Sequence, residues 1–250
     1  RLPSGKLLKY KARLCVRGDL QIKGENFWET YSPVVSWPLI RMMFILTAMF
    51  GLQSRHVDFT NAFAQSFLEE ELYMEMPDGF DSERNTHCLK LIRSLYGLRQ
   101  SAMNWFQTIA LTLQNLGLEQ SKIDPCLFFG KGLIVVLYVD DMIIFHKDKK
   151  PIDELIKALA DEFPLTDEGD VTAYLGVEVT RRDDGSMHLR QPSSIQKLLD
   201  LIGLDDASNP SDTPAVVNPA PGKGGSPPSH KWSYPSAVGI LLWLAFNTRP

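Results

Sequence analysis

The chain has 250 residues, 44% hydrophobic and 22% charged, which supports one large or two small globular domains with a sizeable core. A formal net charge of −4 argues against a protein that merely coats nucleic acid, because neutralising phosphates needs clustered Lys and Arg. Cys15, Cys88 and Cys126 are widely spaced and form no CxxC pair, so neither a disulfide framework nor a zinc site is expected, and a reducing compartment fits.

The N-terminal arm is basic. Residues 1–24 hold Arg1, Lys6, Lys9, Lys11, Arg13, Arg17 and Lys23 against the single acid Asp19, a local charge of +6 that leaves −10 on the rest. Within it, LLKYKARLCV at 7–16 mixes apolar and basic residues at near-alternate positions and predicts an exposed strand pair. Apolar residues then run from Pro38 to Leu52 and predict a buried helix closed by Gly51. That stretch carries Arg41 and is too short to span a bilayer, and no signal-peptide pattern opens the chain, so a soluble protein is expected. Gln53 to Phe59 predicts a strand, and Glu71 to Met76 another, stopped by Pro77-Asp78-Gly79. Gln100 to Leu116 is amphipathic, with Trp105, Ile109, Leu113 and Leu116 at helical spacing and Gly117 as its stop.

Leu133 to Val139 and Met142 to Phe145 are two strongly apolar, β-branched runs separated by Asp140-Asp141, the pattern of a hairpin. A helix is predicted from Asp153 to Phe163. Strands follow at Ala173 to Thr180 and Met187 to Arg190, joined by the turn Asp183-Asp184-Gly185, and then a short helix from Ser193 to Ile202. Residues 207–231 hold six of the 16 prolines with three glycines, which marks a linker or mobile loop. Trp232 to Phe246 returns to apolar helix, and with residues 232–250 read as a truncated helix the chain is expected to be a piece of a longer protein. Strands and helices intermix without regular βαβ repetition, so the expected class is α+β, a sheet with helices on one face.

Two adjacent acids at a hairpin tip are what many ordinary turns contain. The strands beside Asp140 and Asp141, however, are too apolar for a surface hairpin. Carboxylates held against a core raise each other's pKa and favour a bound cation. Asp58 ends a separate strand, His56-Val57-Asp58-Phe59, and if those strands are neighbours three carboxylates converge. Hard divalent ions take such oxygen ligands together with substrate phosphates, so the cluster suits two-metal phosphoryl transfer. A sugar-cleaving carboxylate pair has no other support in the sequence, and the spacing of a calcium loop is absent.

Tyr138-Val139-Asp140-Asp141 resembles the YxDD box of reverse transcriptases, and Val57-Asp58-Phe59-Thr60-Asn61-Ala62-Phe63 resembles the preceding motif with its first catalytic Asp. KARLCVRG at 11–18, YSPVVSWPLIR at 31–41, ELYMEMPDGF at 71–80, SLYGLRQSAMNW at 94–105 and YLGVEV at 174–179 occur in the order of the Ty1/copia retrotransposon family. The resemblance runs from about Lys11 through the TPA at 213–215 and into the final YPSAVGILLWLAFNTRP.

It implies a right-hand polymerase that makes DNA on RNA and DNA templates. The fingers would be about residues 1–37 and 76–100, the palm about 38–75 and 101–185, and a thumb would begin before 206. Two Mg²⁺ ions, with Mn²⁺ as a substitute, would be held by Asp58 and Asp140, with Asp141 in support and the Phe59 backbone carbonyl as a further ligand. Phe63 would lie under the incoming sugar, Gln100 would line the nucleotide pocket, and Lys11 and Arg13 would approach the triphosphate. Arg17 would reach primer or template phosphates. Tyr138 is open between core packing and contact with the primer end.

The implied partners are a primed template and deoxynucleoside triphosphates, with no membrane. The protease, integrase and ribonuclease H of a parent polyprotein are expected outside this chain, and the implied location is a cytoplasmic virus-like particle. Two positions depart from the family pattern: Ser101-Ala102-Met103 stands where Ala-Pro-Arg is common, and Thr166 where Lys is frequent. They leave room for a second reading, a decayed copy that folds and binds nucleic acid without polymerising.

Overall fold

A computed structural model of the chain describes residues 12–77, 79, 86–204 and 232–248. Lys11 and the whole of the 207–231 segment lie outside them. The chain divides into two compact units, Arg1–Val171 and Thr172–Pro250.

The first unit is built on a six-stranded antiparallel sheet. Its strands are β1 (Gln53–Phe59), β4 (Glu119–Gln120), β5 (Leu127–Gly130), β6 (Leu133–Tyr138), β7 (Asp141–His146) and β8 (Leu165–Gly169), in the order β4-β5-β6-β7-β1-β8. The same unit holds a two-stranded ribbon of β2 (Phe67–Glu75) and β3 (Cys88–Arg93), and the helices α1 (Trp37–Phe50), α2 (Ser101–Asn115) and α3 (Lys149–Glu162). Alternation along the strands sends Val57, Phe59, Leu133, Val135, Leu137, Met142 and Ile144 to one face. There they form a single buried cluster with Trp105, Ile109 and Leu113 of α2 and Ile152, Leu155 and Leu159 of α3. Burying such a Leu, Ile or Val side chain contributes roughly 1.5–3 kcal/mol, so this face is the main source of cohesion. The opposite face buries Val136, Ile143 and Phe145 and carries His56, Asp58, Tyr138 and Asp141 towards the β6–β7 turn.

The helix boundaries follow local chemistry. Pro38 sits in the first turn of α1, where its missing N–H costs nothing, and Gly51 closes the helix at φ 62° with its amide on the Thr47 carbonyl. The third helix starts at Lys149, earlier than the expected Asp153, because Pro151 falls in its first turn, where backbone N–H groups lack intrahelical partners anyway. The ribbon strand β2 begins at Phe67 instead of Glu71, Phe67 pairing with Arg93 of β3 ahead of a register shift that ends at Leu72.

Of the strand pair expected over residues 7–16, residues 7–11 lie outside the described residues and residues 12–16 form no strand. Their backbone is tied elsewhere. The Val16 amide donates to the Tyr96 carbonyl at 2.8 Å, and the chain crosses at two glycines. A Cβ on Gly18 would lie 1.9 Å from the Gly97 carbonyl oxygen, and one on Gly97, at φ 96°, would lie 2.1 Å from that of Val16. Only glycines allow two backbones this close.

In the second unit the predicted strand 173–180 is two strands, β9 (Ala173–Tyr174) and β10 (Val177–Arg181). Positive φ at Leu175 (48°) and Gly176 (79°) folds them into an antiparallel pair. With β11 (Met187–Arg190) they form a three-stranded sheet, accompanied by α4 (Pro192–Ile202) and α5 (Tyr234–Asn247). Among the described residues no helix is long and apolar enough to cross a membrane.

Candidate active site

The acidic residues meet through strand register. β1 pairs antiparallel with β7, and Asp58 lies directly opposite Asp141, which is itself opposite Tyr138 on β6. Directly paired residues share a sheet face with Cβ atoms roughly 4.5–5.5 Å apart, so Asp58, Asp141 and Tyr138 form one row. Asp140 sits in the two-residue turn between β6 and β7, its carbonyl oxygen accepting from the Phe59 amide at 2.8 Å. That bond ties the turn to the end of β1. On the other side of β1, Asp58 is opposite Thr166 of β8.

Like charges at this distance must be compensated. Burial, and then the carboxylates of Asp141 and Asp58, push the Asp140 carboxyl above its usual range, against the pull of its own backbone and of Arg13. Asp141 is met by His56, whose Nε2 lies 2.8 Å from Asp141 Oδ1. That hydrogen bond, helped by the charges of Asp141, Glu168 and Asp58 and opposed by burial, raises the His56 pKa above the ordinary imidazole value. The oxygen-only donor set of Asp58, Asp140 and Asp141 fits a hard divalent cation. Among the described residues no three His, Cys, Asp or Glu side chains form a preassembled metal cage. Magnesium is commonly held by one or two carboxylates with substrate phosphates completing its shell, which requires no such cage.

Phe63, half-buried in a short 3₁₀ turn (Ala62–Gln65), packs on Tyr96 at 4.9 Å between ring centroids. The Arg13 guanidinium lies over the same Tyr96 ring at 5.4 Å, a cation–π arrangement. Arg13, Tyr96 and Phe63 therefore make a stack, and the effect of Arg13 on Asp140 places the guanidinium within electrostatic reach of the turn. Phe59 faces away, into the aromatic block of Trp105 and Phe163. Arg17 is exposed and forked onto Asp19, with nitrogen–oxygen distances of 2.9 and 2.6 Å.

Gln100 is fully covered. Its amide donates to the Asn26 carbonyl at 2.9 Å and lies 3.4 Å from Glu70, while its oxygen accepts from Gln21 at 3.0 Å. In this arrangement it knits the segment after Gly18 to the start of α2.

Residue types alone single out neither His56, Tyr96 nor Trp105 as site residues. The signal for His56 is the two-residue alternation that puts it on the same strand face as Asp58. Tyr96 and Trp105 carry no local signal, since an aromatic at strand or helix spacing is most often core.

A family profile described as reverse transcriptase (RNA-dependent DNA polymerase) matches residues 4–217. The chain is 35% identical over 259 residues to the retrovirus-related Pol polyprotein from transposon TNT 1-94 of Nicotiana tabacum, covering 98% of this chain and 19% of that protein. It is 33% identical over 252 residues to the Pol polyprotein from transposon RE1 of Arabidopsis thaliana, covering 98% and 17%. A Ty1 Gag-Pol polyprotein of Saccharomyces cerevisiae is 29% identical over 160 residues, 62% of this chain and 9% of that one. The chain thus spans about a fifth of the plant relatives' length. Matched over most of its residues, it belongs to the reverse transcriptase family of Ty1/copia-type retrotransposon Pol polyproteins.

Proposed function

We propose that this chain is the RNA-directed and DNA-directed DNA polymerase core of a Ty1/copia-type element, adding deoxynucleotides to a primer 3′ end. The observation that carries the reading is the register of Asp58 opposite Asp141 with Asp140 in the adjoining turn. It sets three carboxylates at one end of the sheet, beside the apolar strands β6 and β7. Asp58 and Asp140, with Asp141 and the Phe59 carbonyl, would hold two divalent ions. When bound, such ions lower the pKa of the attacking hydroxyl and neutralise charge on the leaving pyrophosphate.

The chain's own groups do the rest by position and charge. Asp58 and Asp140 keep negative charge where cations and phosphates must gather. Arg13 and Lys11 meet the triphosphate, and Phe63, backed by Tyr96, walls the pocket beneath the sugar. Arg17 leaves Asp19 for a backbone phosphate, an exchange that costs little because exposed ion pairs are weak. Tyr138, in the row of Asp58 and Asp141, faces the primer end. The fold would be a right hand, with fingers about 1–37 and 76–100, palm about 38–75 and 101–185, and the thumb beginning beyond. The reaction would take place in a cytoplasmic virus-like particle, beside the other activities of the parent polyprotein.

Primer extension on a homopolymer template with Mg²⁺ or Mn²⁺ tests this. Metal-dependent incorporation of deoxynucleotides that Asp140→Asn abolishes is the expected result. Template binding without extension would point to the decayed copy instead.

A further inference from the structure

The turn that carries Asp140 is strained. Val139, its first residue, has φ 52°, a left-handed conformation that β-branched side chains rarely adopt. Hairpin turns with positive φ ordinarily use Asn, Asp or Gly there. Such a conformation persists only where surrounding contacts over-determine it.

Two hydrogen bonds close over this turn, one on each carbonyl. The Trp105 indole Nε1 donates to the Val139 carbonyl at 2.6 Å, and the Phe59 amide donates to the Asp140 carbonyl at 2.8 Å. Both donors come from one rigid block. Trp105 is 1% exposed and packs edge-on against Phe59 at 5.1 Å and Phe163 at 5.4 Å. Phe59 and Phe163 also meet edge-on, at 6.1 Å. A buried indole N–H needs an acceptor, but a helical carbonyl or a side chain could serve. Here it reaches from α2 to the one non-glycine residue of the β6–β7 turn with positive φ.

We propose that Trp105 is a positioning residue for Asp140: its indole N–H holds Val139 in the left-handed conformation that sets the Asp140 carboxylate beside Asp58 and Asp141. This rests on the reading of Asp140 as a catalytic carboxylate. Trp105 touches no substrate. Without its N–H, the Val139 carbonyl loses its partner, the strain is no longer held, and the turn relaxes away from the Phe59 amide.

The test separates the N–H from the packing. Replacing the Trp105 indole by benzothiophene, through a benzothienylalanine residue, keeps the bicyclic shape and deletes the donor. Trp105→Phe is the encodable counterpart. Amide exchange of the metal-free chain reads the turn through Phe59, whose N–H is bonded to Asp140. Exchange at Phe59 should quicken at least tenfold in the benzothienyl variant, with amides of α3 unchanged. Adding Val139→Gly, which adopts positive φ freely, should recover at least threefold of that loss. In primer extension, kcat should fall at least tenfold with KM for the nucleotide changed less than threefold, and Val139→Gly should restore part of kcat. Unchanged Phe59 exchange without the N–H, or no recovery with Val139→Gly, would overturn the proposal and return Trp105 to ordinary packing. The exchange measurement uses neither metal nor substrate. A wild-type chain that fails to extend primers therefore removes the polymerase reading and leaves this test intact.

Discussion

His56 Nε2 on β1 sits 2.8 Å from Asp141 Oδ1 on the neighbouring β7, an imidazole hydrogen-bonded to a site carboxylate. The pair raises the His56 pKa, first through the hydrogen bond and then through the charges of Asp141, Glu168 and Asp58. A raised histidine stabilises the fold fully below its unfolded pKa of about 6.5. That contribution is lost as pH climbs through the folded value. His56→Gln is expected to cost about 1 kcal/mol at pH 5.5, between the range for charged hydrogen bonds and that for exposed pairs. The cost should shrink towards pH 8.5. Thermal melts of both proteins without metal across that range check it, and a pH-independent difference would refute the pairing.

Asp140 is expected to trade stability for activity. Its raised pKa means that the folded state disfavours its charge, so the penalty is absent at low pH and sets in as pH rises through the folded value. Asp140→Asn removes that charge. It should raise the melting temperature of the metal-free chain at pH 7 and have little effect at pH 3, while primer extension falls roughly a thousandfold, the scale of losing several kcal/mol of transition-state charge stabilisation. A variant that polymerises at wild-type rate has kept the essential ligand.

Sugar choice is expected to depend on Phe63. Its ring packs on Tyr96 at 4.9 Å and against the buried core cluster, contacts that resist its swinging aside. A merely hydrophobic pocket rejects an added hydroxyl by only about a hundredfold, so stronger discrimination needs such a wall. Phe63→Ala should raise ribonucleotide use relative to deoxyribonucleotide use at least roughly tenfold, with a smaller loss in deoxyribonucleotide kcat/KM. Comparing kcat/KM for both sugars on one template decides it, and an unaltered ratio returns Phe63 to the core.

Nucleic-acid affinity should depend on salt through the basic arm despite the acidic whole. Arg13 lies over Tyr96 near Asp140, while Arg17 is exposed beside Asp19. Each cation that reaches a phosphate contributes about 0.7–0.9 to the slope of log affinity against log salt. Neutralising both as Arg13→Gln and Arg17→Gln should flatten that slope by up to roughly 1.4–1.8 units. A slope that does not move would mean that neither guanidinium meets a phosphate.

The sequence by itself determined the elements whose cause is local. The strand Gln53–Phe59, the β6–β7 hairpin, whose turn falls at Val139-Asp140 one residue before the expected Asp140-Asp141, the Gly51 stop of α1 and the second helix before Gly117 follow from alternation, β-branching and glycine at helix ends. These depend on neighbours within a turn or a pleat. The ordered motifs likewise identified the family, since their company needs no coordinates.

Only the tertiary structure decided what depends on pairing across distance. Nothing near Asp58 states that β1 lies between β7 and β8, yet that order sets Asp58 opposite Asp141 and brings His56 onto it. Residues 7–16 read as strand because alternation describes faces, not partners; over the described residues 12–16 the backbone found the Tyr96 carbonyl and a glycine crossing instead of a ladder. Trp105 read as one apolar position on α2, and the fold turned its single N–H, 34 residues away in sequence, onto Val139. A side chain's hydrophobicity is written in the sequence, whereas the acceptor that satisfies its one polar atom exists only once the chain has closed.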